Sequence, residues 1–187
     1  MQTIYLKDFL TTGKFGPIHL GMNIDTVIDI LGEPEGITDY KNGHAEIMYA
    51  YYEFFYLSET KVLYGIQNGH LATFPNIKTG RVNNKKDICF TNNKFTIDIW
   101  FLKKNRFLTL KDVIDSLRKE NVDFEVTKGF HNNNIIKFKS GVTLDFDDLS
   151  GLTFYEPDTK VWTRSEKIID DYKKILSGIR KYDLSLT

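Results

Sequence analysis

The sequence predicts an α+β protein made of two tandem helix-plus-antiparallel-sheet modules followed by a C-terminal helix. Three observations predict it. Two short segments far apart carry apolar residues at helical spacing. Each is followed by segments whose apolar residues alternate with period two, as half-buried strands require. Both patterns recur in the same order, which is the mark of a tandem duplication.

The first helix is expected at Ile24–Leu31, where Ile24, Val27, Ile28 and Leu31 make one apolar stripe. Asn23 is its expected N-cap, Asp25 suits the positive end of the helix dipole, and Gly32 and Pro34 end it. The second helix, about Leu110–Glu120, repeats the stripe with Leu110, Val113, Ile114 and Leu117, each 86 residues after its counterpart. Thr109 and Asp112 resemble a capping box there. In the strands, Tyr52, Phe54 and Tyr56 match Val142, Leu144 and Phe146 at an offset of 90, and Val62 and Tyr64 match Leu152 and Phe154. The connectors Ser58-Glu59-Thr60-Lys61 and Asp147-Asp148-Leu149-Ser150-Gly151 are polar. Gly69–Phe74 and Phe95–Leu102 are further candidate strands, the second with Phe95, Ile97, Ile99 and Phe101 on one face and Trp100 on the other. The loop Ile77–Lys86 divides the chain into modules 1–80 and 81–187. The C-terminal helix is expected over Arg164–Lys181, with Ile168, Tyr172, Ile175, Leu176 and Ile179 as its stripe.

Composition narrows the function classes. With 41% hydrophobic and 14% aromatic residues, the 187-residue chain can bury a core. Its 25 basic and 25 acidic residues balance, which removes the usual electrostatic argument for nucleic acid or an anionic membrane. The one cysteine, Cys89, cannot form an internal disulfide, and its neighbours Ile88 and Phe90 suggest a buried, inert thiol. The N-terminal residues have no secretory pattern, and no apolar run reaches the length of a membrane helix, so the expected compartment is the cytoplasm.

Catalytic and metal signatures were sought by spacing. His19, His44, His70 and His131 have no second ligand at zinc spacing; His19 reads as a structural histidine and the others as turn residues. Asp145, Asp147 and Asp148 are the densest acidic cluster, and Asp145 and Asp147 share a strand face, but a solvated strand running into a hairpin explains them without a metal. No phosphate loop, dinucleotide fingerprint or nucleophile elbow occurs. The expectation is a protein without cofactor or metal that is not an enzyme.

The aromatics carry more information. Between Tyr49 and Leu57 the odd positions are Tyr49, Tyr51, Glu53, Phe55 and Leu57, whereas the corresponding face of the second unit is polar, with Thr143, Asp145 and Asp147. The extra aromatic face either packs inside the protein or meets a partner, since tyrosine and tryptophan dominate binding hot spots.

Ile18-His19-Leu20-Gly21-Met22, then Val27, then Leu31-Gly32-Glu33-Pro34 and the Tyr51–Ile66 hairpin resemble the opening module of small bacterial proteins with a beta-lactamase-inhibitor-protein-like fold. That group includes BamE-like lipoprotein domains and many immunity-type proteins. The resemblance spans residues 18–66 and, more loosely, 107–156, where Arg118 and Lys119 replace the glycine and proline pattern after the helix. It implies tandem modules whose sheets form a concave surface that grips a partner protein. The absence of a lipoprotein cysteine and of paired cysteines points, within that group, to a cytoplasmic immunity protein.

The expected function is therefore non-enzymatic protein binding, in which a concave sheet face occludes a cognate toxin or enzyme. Tyr49, Tyr51 and Trp100 would be anchors, and Glu53, Asp98 and Asp145 would pair basic groups on the partner. The alternatives are an enzyme with a small-molecule site between the modules, and a self-assembling module whose aromatic face makes a homodimer.

Overall fold

The chain builds one large antiparallel sheet with its α-helices and a small parallel strand pair on one side. The computed structural model describes residues 1–71, 75–76, 81–82, 89–103, 108–129, 132–148, 153–156, 161–164 and 170–187. In chain order these form β1 (Gln2–Tyr5), α1 (Leu6–Thr12), α2 (Ile24–Leu31), β2 (Gly36–Asp39), β3 (His44–Tyr49), β4 (Tyr52–Leu57), β5 (Leu63–Asn68), β6 (Pro75–Asn76), β7 (Arg81–Val82) and β8 (Phe95–Asp98). There follow α3 (Leu110–Lys119), β9 (Glu125–Lys128), β10 (Asn134–Lys137), β11 (Thr143–Asp147), β12 (Thr153–Glu156), β13 (Val161–Arg164) and β14 (Ile175–Tyr182).

Eight strands form the main sheet in the order β2-β3-β4-β5-β14-β11-β10-β9. All its neighbours are antiparallel. The order is symmetric about the β5–β14 contact. Each half starts with a helix, α2 or α3, runs through three strands toward the centre, and contributes a fourth strand to the middle. The hairpin β12–β13 lies between the third and fourth strands of the second half. The offset-matched residues occupy corresponding places: Tyr52 and Phe54 on β4, Leu144 and Phe146 on β11, all with core-facing side chains.

Both expected helices form where the apolar stripes lie. Asn23 caps α2, its side chain accepting from the Asp25 amide at 2.8 Å. Thr109 and Asp112 make a reciprocal capping box on α3, with Asp112 N donating to Thr109 Oγ1 at 3.2 Å and Thr109 N to Asp112 Oδ2 at 2.9 Å. Ile24, Val27 and Leu31 of α2 and all four stripe residues of α3 are buried. They join Leu6, Phe9 and Leu10 of α1 and the inward residues of the sheet in one core cluster that spans both halves. β1 pairs in parallel with β8 on this same side, placing Ile4 and Ile97 in the core.

The C-terminal segment corrects the expectation of a helix over Arg164–Lys181. Arg164 ends β13, Asp171–Lys173 is a single 3-10 turn, and Ile175–Tyr182 is the central strand β14; residues 165–169, including Ile168, lie outside the described residues. The misleading helical spacing comes from a β-bulge. Asp145 pairs with Gly178 but Phe146 pairs with Leu176, so Ser177 is an extra residue. Leu176 and Ile179, three apart, therefore both face the core. Docking between β5 and β11 closes two edges that would otherwise stand open, and that outweighs local helix preference.

Three further expectations are corrected. Phe95–Leu102 is a strand only to Asp98; Trp100 begins a 3-10 turn and has φ +50°. Tyr49 to Tyr56 is not one strand but the β3–β4 hairpin, turning at Ala50-Tyr51, with Tyr49 paired to Tyr52. Gly69–Leu71 lies beyond β5 and is not a strand, while 72–74 fall outside the described residues, as does most of the 77–86 boundary loop. In the second half the place of β5 belongs to β14, so the match of Val62 and Tyr64 with Leu152 and Phe154 is not a match of sheet positions; Leu152 is outside the described residues. Cys89 is exposed, and it is Phe90 that packs on the core.

Candidate functional site

The helices and β1–β8 occupy one side of the main sheet, so the other side is the outer face. Its residues are fixed by the strand registers. Glu46 lies opposite Phe55, Met48 opposite Glu53, Glu53 opposite Gln67, Arg180 opposite Gln67, Tyr182 opposite Gly65 and Thr143 opposite Arg180. None of these side chains belongs to the core cluster.

A second bulge shapes the centre of this face. Phe55 pairs with Gly65 but Tyr56 pairs with Leu63, leaving Tyr64 as the extra residue. Tyr64 turns outward, although its period-two position suggests the core stripe. Its ring lies 6.3 Å from Phe55, 6.4 Å from Tyr182 and 5.5 Å from His44, centroid to centroid. Phe55 and Tyr182 are 5.8 Å apart. Such separations suit tilted and edge contacts between rings. The Tyr64 hydroxyl and His44 Nδ1 are 3.1 Å apart.

Polar links extend the cluster. The Tyr182 hydroxyl donates to Gln67 Oε1 at 2.5 Å, and Gln67 Nε2 donates to Glu53 Oε2 at 2.6 Å. Glu53 Oε1 lies 3.7 Å from His70 Nε2, and the His70 ring is 5.2 Å from Tyr51. Burial pushes the Tyr182 hydroxyl well above the usual tyrosine value. Tyr40, reaching in from the end of β2, bonds Glu46; burial first, and then that bond and the carboxylate charge, push its hydroxyl up to about 12.

Across β14, Asp145 Oδ2 lies 2.5 Å from Arg180 Nε. Burial pushes the Asp145 carboxyl above its ordinary value, outweighing the opposing pull of the Arg180 charge.

The structure divides the six residues expected to bind a partner. Tyr51, Glu53 and Asp145 lie on the outer face or its rim. Tyr51 and Glu53 are joined through His70, and Asp145 stands three strands away, about 14 Å from Glu53 by strand spacing. Tyr49 is corrected: it is 1% exposed, packs edge-on against Phe54 and Phe95, and donates its hydroxyl to Gly32 O at 2.5 Å, so it is a core residue. Asp98 and Trp100 are on the helix side. Asp98 Oδ1 accepts from the Trp100 amide at 2.8 Å. The Trp100 ring stacks edge-on with Phe101 at 4.8 Å and sits 4.9 Å from Lys7 Nζ. That tryptophan lines an open cavity of about 450 Å³ with Asp112, Asp115, Lys119 and Glu120 of the α3 region. In this cavity wall Asp112 is occupied by the helix cap, Asp115 by Lys111, and Glu120 by Lys7.

Glu46, His44, Gln67, Tyr64 and Tyr182 were not singled out by the sequence. Glu46 had a signal, the alternation of His44, Glu46 and Met48 with Ala45, Ile47 and Tyr49. Tyr64 and Tyr182 had none, because a bulge reversed one and the other lay in an assumed helix. Among the described residues no three His, Cys, Asp or Glu side chains gather closely enough to hold a metal ion.

No family model, no curated protein and no solved structure matches this chain. No described helix is long and apolar enough to cross a membrane.

Proposed function

We propose that this chain is a protein-binding module of the immunity or inhibitor type, made of two tandem modules, that occludes a toxin or enzyme with the outer face of its sheet. It would act in the cytoplasm, without a cofactor. One observation carries the reading. The outer face joins aromatic rings and charged groups in a single surface, from Tyr51 and Glu53 through Tyr64 and Tyr182 to Arg180 and Asp145, while the described helices lie on the opposite side. Aromatic rings beside arginine and carboxylates are the usual chemistry of binding hot spots. Four strands' width of this face gives the order of area, about 800 Å², that a specific partner needs. The mirrored strand order and the matched stripes of α2 and α3 support duplication.

Tagged protein purified from its native host tests the proposal. A stoichiometric partner of toxin or hydrolase type is expected, inhibited on binding and released by Glu53→Lys. Release by Trp100→Ala and not by Glu53→Lys would move the interface to the helix side. Recovery of the protein alone, as a homodimer whose mass depends on concentration, would replace the inhibitor reading with self-assembly.

A further inference from the structure

The outer face contains an ionisable group in an unusual position. Glu46 is only 7% exposed, and its Oε2 atom has no hydrogen-bond partner among the described residues. It sits in the middle strand of the β2–β3–β4 ladder, opposite Phe55 and diagonal to Glu53. Around it stand the rings of Tyr40, Tyr64, Phe55 and Tyr182. Tyr40 bonds the carboxylate, and the Glu46 charge reaches the hydroxyls of Tyr64 and Tyr182.

The charges nearby do not neutralise it. Arg180 is paired to Asp145, and Lys181 points to the other side of the sheet, where its Nζ donates to Gly13 O at 3.2 Å. The only other bases at the cup are the imidazoles of His44, bonded to Tyr64, and His70, beside Glu53. A carboxylate taken out of water with an oxygen unsatisfied is costly, and the cost is recovered when a cation with donors fills the space. Ring faces around it favour the same charge. A planar guanidinium both stacks on tyrosine and donates to a carboxylate, which a hydrated ammonium does less well.

We infer that Glu46 is the base of an aromatic cup that receives the guanidinium of an arginine from the partner protein. Charge complementarity selects this occupant: two carboxylates, Glu46 and Glu53, face a space walled by rings. The inference rests on the reading of the outer face as a protein-binding surface, but the cup can be probed without the partner.

The test is an NMR titration of the full, isotope-labelled chain with argininamide and with its neutral isostere citrullinamide. Argininamide should give saturable shifts at the Glu46, Phe55 and Tyr64 amides in the millimolar range, as expected for so small a ligand (on the order of 1 mM to 100 mM). Citrullinamide should bind at least about tenfold more weakly. Glu46→Gln should abolish the argininamide shifts while the protein stays folded, because the change removes an unpaired charge and keeps the shape; its urea midpoint should equal or exceed that of the wild type. Tyr64→Leu should weaken binding through loss of a ring. Equal shifts with citrullinamide, none with argininamide, or argininamide binding unchanged in Glu46→Gln would overturn the cup. Argininamide seated at Glu46 in a protein that captures no partner would uphold the cup and overturn the protein-binding reading. A captured partner whose affinity survives Glu46→Gln would do the reverse.

Discussion

The ring of Tyr182 occupies the place that a side chain on Gly65 would need: a Cβ there would come within 2.4 Å of its Cδ1 and Cε1. The two residues face each other across β5 and β14, the strands that join the halves of the sheet. Gly65 is thus glycine for want of space, and it allows an aromatic ring to lie flat over the centre of the outer face.

Gly65→Ala should therefore push the Tyr182 ring aside and cost about 1–3 kcal/mol, the usual penalty of overpacking. Urea unfolding measures the cost. In the Tyr182→Ala background the same substitution should be nearly free, and a double-mutant cycle would show that coupling. An equal cost in both backgrounds would mean that the glycine serves the backbone and not the ring.

Because one core cluster spans both halves, unfolding should be a single transition. Leu31→Ala and Leu117→Ala each remove a fully buried side chain from equivalent helices, and each should cost about 2–5 kcal/mol. Both should shift the same transition, seen alike by circular dichroism and by tyrosine fluorescence. Separate transitions, each sensitive to one substitution, would show two independent cores.

Thr109→Ala removes the side chain that accepts from the Asp112 amide at the start of α3. The expected loss is about 1 kcal/mol, within the range for helix N-caps. Thr109→Ser should restore most of it, since the hydroxyl is what caps. Thermal or urea unfolding of the three proteins decides the matter.

Asp145 gives a pH dependence with a definite sign. Its carboxyl is raised in the folded state by burial, with Arg180 opposing. The group's contribution is therefore fully present below the unfolded value, near 4, and is lost as pH rises through the higher folded value. Asp145→Asn should gain stability relative to the wild type between acid and neutral pH, measured by urea unfolding at a series of pH values. The Arg180 left behind is nearly half exposed and should add little cost. A wild type that gains on the variant as pH rises would mean that the Arg180 contact dominates.

Tyr49→Phe tests the placement of Tyr49 in the core. The hydroxyl satisfies the Gly32 carbonyl at the end of α2, so its removal should cost about 1–3 kcal/mol, read by urea unfolding. It should leave partner binding unchanged, as a core residue would.

Local chemistry made much of the fold legible. The stripes of α2 and α3, the Asn23 cap and the Thr109–Asp112 box are short-range patterns whose physics lies within a few residues, and all formed as expected. The alternation on β4 and β11 likewise identified their core faces. The candidate site was less legible. Glu53 and Asp145 were found on the outer face because period-two alternation defines it. Tyr49 was misplaced because the turn at Ala50-Tyr51 restarts the alternation, and Trp100 because β8 ends before it.

What the sequence by itself determined, then, is the set of elements whose causes are local: helix stripes, caps and strand alternation. The tertiary structure alone decided the rest. It made β14 a strand, since two open sheet edges offered more than an isolated helix could. It turned Tyr64 outward through one bulge and brought Leu176 and Ile179 to the same face through another. It set Glu46, Glu53, Tyr64 and Tyr182 around one space although Tyr182 lies 136 residues beyond Glu46. Bulges and long-range strand pairing depend on the partner strand, and a partner far along the chain leaves no periodic trace in the residues themselves.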